Sequence, residues 1–216
     1  PICVPLAEAG VIRGRPAVRF DGYDDFLEFP STLLAGASAG EAWVVLRAAA
    51  LPATENRTLW RFGGADTLYP GADGSVYDGF GSTVLRQAPA PREDLGSWRV
   101  YQVSAEAGRW ISRSNGRIQW TAPENTVAFA SSPTLGYSGS PTFGRSFNGH
   151  VAEILVYDRV LSQPERESIA RYFQARFGLA AVGASGSVLP PSALRARAVG
   201  PNQVALTWSL SPRSEE

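Results

Sequence analysis

Hydrophobic residues fall along this chain in short runs, each broken by glycine, proline or a polar pair. Runs of this kind, rich in β-branched and aromatic residues, read as strands joined by turns. The pattern predicts strands at Ala17–Phe20, Phe26–Phe29, Trp43–Leu51, Thr58–Gly63, Gly74–Phe80, Thr83–Gln87, Trp98–Ser104, Trp110–Arg113, Arg117–Thr121, Thr126–Phe129, Thr134–Tyr137 and Gly149–Tyr157. The strongest hairpin signal is Ser114-Asn115-Gly116, because Asn-Gly tolerates the positive φ angles of a type I′ turn. Val151-Ala152-Glu153-Ile154-Leu155-Val156-Tyr157 is apolar enough for a central strand.

One segment changes period. Ser162-Gln163-Pro164-Glu165 has the form of a capping box, with proline inside the first turn. Ile169, Tyr172, Phe173, Arg176 and Phe177 follow at helical spacing, and Gly178 supplies a stop. This predicts an amphipathic helix packed on the edge or end of the strands. Residues 180–189 are small and Gly/Ser-rich and read as a linker. Beyond it, Pro190–Leu194 and Val204–Trp208 read as two strands around Gly200-Pro201-Asn202. Two strands close no sandwich, so they either begin a second domain or lean on the first.

Composition narrows the classes. The chain has 216 residues, 44% hydrophobic and 19% charged, with a formal net charge of zero. Such a balance supports a packed core and gives no long-range field for nucleic acid or an anionic membrane. The basic residues are all arginine and are scattered. Cys3 is the single cysteine, so one chain holds no internal disulfide and no cysteine-based metal cluster. No run of about 18 apolar residues predicts membrane insertion. The sequence opens at Pro1 without a signal peptide, as expected of a mature or excised piece.

Two blocks carry a family likeness. Gly14-Arg15-Pro16-Ala17-Val18-Arg19-Phe20-Asp21-Gly22-Tyr23-Asp24-Asp25-Phe26-Leu27 resembles the early hairpin of bacterial laminin G-like jelly-roll domains. Phe147-Asn148-Gly149-His150-Val151-Ala152-Glu153-Ile154-Leu155-Val156-Tyr157-Asp158-Arg159-Val160-Leu161-Ser162, through Glu165-Arg166 to Tyr172-Phe173, resembles their closing strand and helix. The family's first strand, upstream of Gly14, is not recognisable. Residues 188–208 resemble, more weakly, the first two strands of a fibronectin type III module, with Trp208 at its core tryptophan. The resemblance implies an all-β, two-sheet antiparallel jelly-roll sandwich (concanavalin A-like) over residues 1–179, with one C-terminal amphipathic helix. A 180–189 linker and an incomplete fibronectin type III-like module at 190–216 would follow. It also implies a secreted or cell-surface multi-domain protein that binds a glycan or a surface protein, sometimes with a structural calcium ion. A virion decoration or fibre component, or a spacer contacting other domains of its assembly, is the alternative.

Candidate chemistry is sparse. Related laminarinase-like sandwiches that hydrolyse glycosides carry clustered acidic residues on one strand, and the nearest string here is Asp24-Asp25-Phe26-Leu27-Glu28. Phe26 separates Asp24 from Glu28, and Asp21, Asp24 and Asp25 read as turn residues that bond nearby backbone N–H groups. His150, the only histidine, lacks a nucleophile elbow and reads as a turn or edge residue. No catalytic residues are therefore expected. Calcium takes about six to eight oxygens, and Asp66, Asp73, Asp78 and Asp158 are the candidate ligands. Glu153 lies in an apolar strand on the predicted face of Val151, Leu155 and Tyr157, and is expected to pair with an arginine or tie strand to helix. Flat aromatic rings suit sugar C–H faces, so Trp60, Tyr69, Tyr77, Trp110, Trp120 and Tyr137 are the candidate ligand-binding residues, with Phe80 beside them. Trp110 and Trp120 are placed to pair across the Asn115-Gly116 hairpin. Asn56-Arg57-Thr58 is a formal glycosylation sequon.

Overall fold

The computed structural model describes residues 4–49, 55–88, 94–137 and 146–179, and the backbone of two strands at 195–200 and 203–207. Fifteen strands and one helix are described. In chain order they are β1 (Leu6–Ile12), β2 (Arg15–Asp21), β3 (Leu27–Glu28), β4 (Ala39–Ala48), β5 (Thr58–Arg61), β6 (Thr67–Leu68), β7 (Val76–Asp78) and β8 (Arg86–Ala88). β9 (Arg99–Glu106), β10 (Arg109–Ser114), β11 (Arg117–Ala122), β12 (Thr134–Leu135), β13 (Asn148–Tyr157), helix α1 (Gln163–Phe177), β14 (Arg195–Gly200) and β15 (Gln203–Thr207) complete the set. The first sheet runs β1-β2-β13-β4-β9-β10-β11 and the second β14-β15-β3-β12-β5-β6-β7-β8. Neighbouring strands pair antiparallel except at one parallel bridge, Gln203 to Glu28. The expected all-β antiparallel sandwich with a single helix is the observed architecture.

β4 explains why the layers stack as they do. Its inward residues Val44 and Leu46 join Phe20, Trp60, Phe80 and Trp110 in the core between the sheets. Its outward residues Trp43 and Val45 join Val100, Leu155, Ile169 and Phe173 in a second cluster beneath α1. A strand buried on both faces loses the polar alternation of a half-buried one, which is why this stretch reads as a continuous apolar run.

α1 begins where expected. Glu165 accepts the Ser162 backbone N–H at 2.8 Å, and Gly178 closes the helix at φ 69°. The apolar stripe is buried at Ile169, Ala170, Phe173 and Phe177. The hairpin joining β10 and β11 turns at Asn115 (φ 48°) and Gly116 (φ 76°), both in the left-handed region.

Several expectations are corrected. β1 lies in the stretch where no first strand was recognisable; its alternation is weak because most of its residues are exposed at a sheet edge. β6 is too short to leave a period. Thr126–Phe129 forms no ladder; instead Phe129 packs edge-on against Phe80. Val151 does not share a face with Glu153, because a bulge in β13 places Val151 opposite Leu46 but Glu153 opposite Val45. The extra residue, Ala152, shifts the pleat and turns Glu153 outward with Leu155. Trp110 lies opposite Ala122 and Trp120 opposite Ser112, so the two indoles do not face each other. The first tail strand is β14, whereas Pro190–Leu194 and Trp208 lie outside the described residues, as do Leu51 and Cys3.

Candidate functional site

α1 covers much of the first sheet's outer face, whereas among the described residues no helix lies on the second sheet. The second sheet's outer face is built by register. β7 pairs Tyr77 with Gln87 of β8 and with Leu68 of β6, and β5 pairs Thr58 with Leu68. Cross-strand partners share a face, so Thr58, Leu68, Tyr77 and Gln87 form one row, buried at its Thr58 end and open at Gln87. Val76 and Asp78 point the other way, into the core.

Asp73 organises the exposed end of this row. It lies in the turn before β7 and takes the Ser75 backbone N–H on Oδ1 at 2.9 Å. The Tyr77 hydroxyl donates to its Oδ2 at 2.8 Å, and the Gln87 amide donates to the same oxygen at 3.1 Å. The Ser75 N–H, followed by the Tyr77 hydroxyl, holds the Asp73 carboxyl below its ordinary pKa. It is a carboxylate at neutral pH, with lone pairs left to accept further donors. Gly71 sits against the Tyr77 ring, where an added Cβ would come within 2.6 Å of a ring carbon. Only glycine at 71 leaves the ring in this position.

Beside the row stand Arg61 and Asp66, 3.9 Å apart. Burial pushes the Asp66 carboxyl up to about 6, and Arg61 opposes the shift. The loop carrying Asp66 is packed on the loop after β7. A Cβ on Gly63 would meet the Gly79 carbonyl oxygen at 1.8 Å, and the Gly64 N–H donates to the Ser82 carbonyl at 2.9 Å. Two glycine-bearing loops in backbone contact therefore fix this corner.

The expected ligand-binding aromatics separate into two groups. Trp60, Tyr69 and Trp110, with Phe80, are enclosed in the core and offer no ring face to a ligand. The Trp110 indole N–H donates to the Phe80 carbonyl at 3.0 Å, and Tyr69 stacks near Tyr101 with centroids 5.2 Å apart. The reason is positional: each points inward from its strand or loop, and large apolar area is most stable there. Tyr77 lies on the open face. Trp120 is exposed on β11, the far edge of the other sheet. Tyr137 packs beside Phe26 at 5.1 Å between ring centroids, near the first hairpin.

The expected metal set does not assemble. Asp66 pairs with Arg61, and Asp73 is held in its turn. Asp78 is buried in the core, where it accepts from Thr67 at 2.8 Å, from the Phe80 N–H at 2.7 Å and from Tyr101 at 2.5 Å. Asp158 is exposed just beyond β13. Instead Asp21, Asp24 and Asp25 approach, with one carboxylate oxygen of each within 4.8 Å of the others. They also act as turn residues, as read from sequence: Asp25 accepts the Asp21 N–H at 2.8 Å and Asp21 the Tyr23 N–H at 2.7 Å. Burial, with Asp21 and Asp24 adding repulsion, raises the Asp25 carboxyl above its ordinary value.

Glu153 meets its expectation. The Tyr172 hydroxyl donates to it at 2.6 Å, and Arg176 approaches its other oxygen at 2.8 Å, so it ties β13 to α1.

Comparison with known proteins places the architecture. No family model matches the chain, and no curated protein matches it in sequence. Solved structures do match in fold. Domain 4 of AbnA, an extracellular GH43 arabinanase of Geobacillus stearothermophilus, solved with arabinotriose, aligns over 74% of this chain and 77% of its own, at TM-score 0.54 and 16% identity. The CBM40 domain of the Ruminococcus gnavus IT-sialidase, solved with α2,3-sialyllactose, aligns over 74% and 95% at TM-score 0.54 and 14% identity. Trypanosoma rangeli sialidase also aligns at TM-score 0.54 and 14% identity, over 74% of this chain but 28% of the enzyme. The class defined is a β-sandwich whose structural neighbours include carbohydrate-binding domains.

Proposed function

We propose that this chain is a non-catalytic glycan-binding module, and that its ligand lies across the outer face of the second sheet. The carrying observation is the row centred on Tyr77: one partly exposed aromatic ring and an amide at Gln87 on the paired strands β7 and β8, with a fixed carboxylate at Asp73 in the turn before β7. A ring that covers sugar C–H groups beside fixed groups that meet hydroxyls is the usual chemistry of saccharide recognition. The carbohydrate-binding neighbours support the reading. Laminin G-like kinship, a secreted or surface location, and a tail that begins a fibronectin type III-like module after a linker at 180–189 belong to the same proposal.

Titration with neutral oligosaccharides, arabinan and galactan fragments among them, tests it. Tyr77→Ala and Gln87→Ala are each expected to weaken binding at least tenfold, about 1.4 kcal/mol. Hydrolysis of any fragment overturns the non-catalytic reading, and binding that ignores both substitutions moves the site elsewhere.

A second reading has its own support. Leu6 on β1 and Ile118 and Trp120 on β11 are exposed at 64%, 59% and 41%, and they occupy the two edges of the first sheet. Apolar edges suit a domain that assembles with neighbours. Light scattering separates the readings: a stable oligomer that Ile118→Lys dissolves favours assembly, and a monomer at high concentration removes it.

A further inference from the structure

Three basic side chains lie side by side on the outer face of the first sheet. β13 pairs His150 with Arg19 of β2 on one side and with Arg47 of β4 on the other. The bulge at Ala152 lets both His150 and Glu153 face outward although they are an odd number of residues apart. Arg47 lies two residues beyond Val45, which is packed in the helix-covered cluster, so the row continues this face past the apolar patch. Trp98 closes the row. The Arg47 guanidinium lies 5.2 Å from the Trp98 ring centroid, and the His150 ring is 6.1 Å from it.

The hydrogen bonds define the charge. Arg47 Nε donates to His150 Nδ1 at 3.4 Å, and His150 Nε2 lies 3.0 Å from Glu8 Oε2. Nδ1 therefore accepts, the ring proton sits on Nε2 facing Glu8, and the imidazole is neutral. Glu8 meets the row and is engaged by His150, while Arg19 also acts electrostatically on the Asp25 carboxylate. Arg19 spends one N–H on the Gly149 carbonyl at 3.4 Å. Among the described residues neither Arg19 nor Arg47 forms an ion pair. Arg19 and Arg47 thus flank the neutral imidazole from β2 and β4, and an anion between them would meet both guanidinium groups.

We propose that this row binds the acid group of an acidic saccharide, with Arg19 and Arg47 facing its carboxylate or sulfate and Trp98 flanking the sugar ring. Planar guanidinium forks match both oxyanions, and an indole face beside them suits a pyranose. The saccharide part rests on the glycan-binding reading above; the acid part rests on the row alone. The site is separate from the Tyr77 face, on the opposite sheet.

Calorimetric titration of the full chain with oligogalacturonate, a sulfated galactan fragment, polyglutamate and a neutral galactan fragment tests it. At least one acidic saccharide is expected to bind, and which one identifies the acid group. Arg19→Gln and Arg47→Gln should each weaken that binding at least tenfold, while neither arginine change lowers Tm. If Arg47→Gln does not fold, Arg47→Lys carries the test, because it keeps the charge and removes the planar fork. Absence of acidic-saccharide binding, equal binding of polyglutamate, or retention of affinity in both arginine variants overturns the inference. Neutral binding without acidic binding sinks this site and leaves the glycan reading standing, whereas binding of no saccharide at all removes both.

Discussion

Glu41 is fully enclosed, yet both of its oxygens are occupied. Oε1 accepts from the Trp43 indole at 2.9 Å and the Gln102 amide at 2.6 Å; Oε2 accepts from the Leu161 N–H at 3.0 Å and Arg166 at 2.7 Å. This one side chain joins β4, β9 and the start of α1. Removing one partner of a buried pair leaves the other charged and unsatisfied, so Glu41→Ala should cost about 3–5 kcal/mol in urea unfolding. Its sequence setting resembles that of Glu153, a carboxylate beside apolar strand residues, and the same signal was available at both positions. Asp66 gives a pH prediction. Its carboxyl rises from 3.8 to about 6 on folding, so the folded state holds the proton more tightly than the unfolded chain does. This contribution to stability is present below pH 3.8 and is lost as pH rises through about 6. Asp66→Asn removes the titration, and its Tm relative to the parent should climb between pH 4 and pH 7. A difference that is flat across that window would remove the burial argument.

At the scale of elements, local chemistry was readable and pairing was not. The Asn115-Gly116 turn and the α1 boundaries follow from residues a few positions apart, and the structure contains both. Gly116 sits at φ 76°, so Gly116→Ala should cost about 1–2 kcal/mol, seen as a lower Tm. Phe173 anchors α1 and is fully buried between Trp43 and Phe177, with ring centroids 6.2 and 6.1 Å away. Phe173→Ala should cost about 3–5 kcal/mol, and hydrogen exchange in α1 should accelerate with it. The Ala152 bulge is the element-scale event that a strict period of two missed. One extra residue in β13 reverses which side chains meet the helix, and nothing in Val151–Tyr157 marks where that residue falls. β1 and β6 were missed for related reasons: an exposed edge strand has little alternation, and a two-residue strand has none.

Across the whole molecule, β4 of the first sheet packs against the second sheet through Val44 and Leu46 and against α1 through Trp43 and Val45, so the sandwich should unfold as one cooperative unit. Among the described residues, the backbone of the β14–β15 hairpin pairs with it at one bridge, Gln203 to Glu28. A chain ending at Leu179 is therefore expected to keep its Tm to within about 4 °C; a larger fall in a thermal scan would make the hairpin part of the sandwich. The sequence by itself determined the strand-and-turn grammar, the Asn-Gly hairpin, the capped helix and the absence of clustered acidic pairs on one strand. Each of these depends on neighbours within about a turn or two of chain. Only the tertiary structure decided that Trp60, Tyr69 and Trp110 are core while Tyr77 is outward, that Asp21, Asp24 and Asp25 converge while the expected four do not, and that Arg19, His150 and Arg47 stand in a row. Those outcomes depend on strand register and on which sheet face is covered. Both are set by packing between residues up to more than a hundred positions apart, as His150 and Arg47 are.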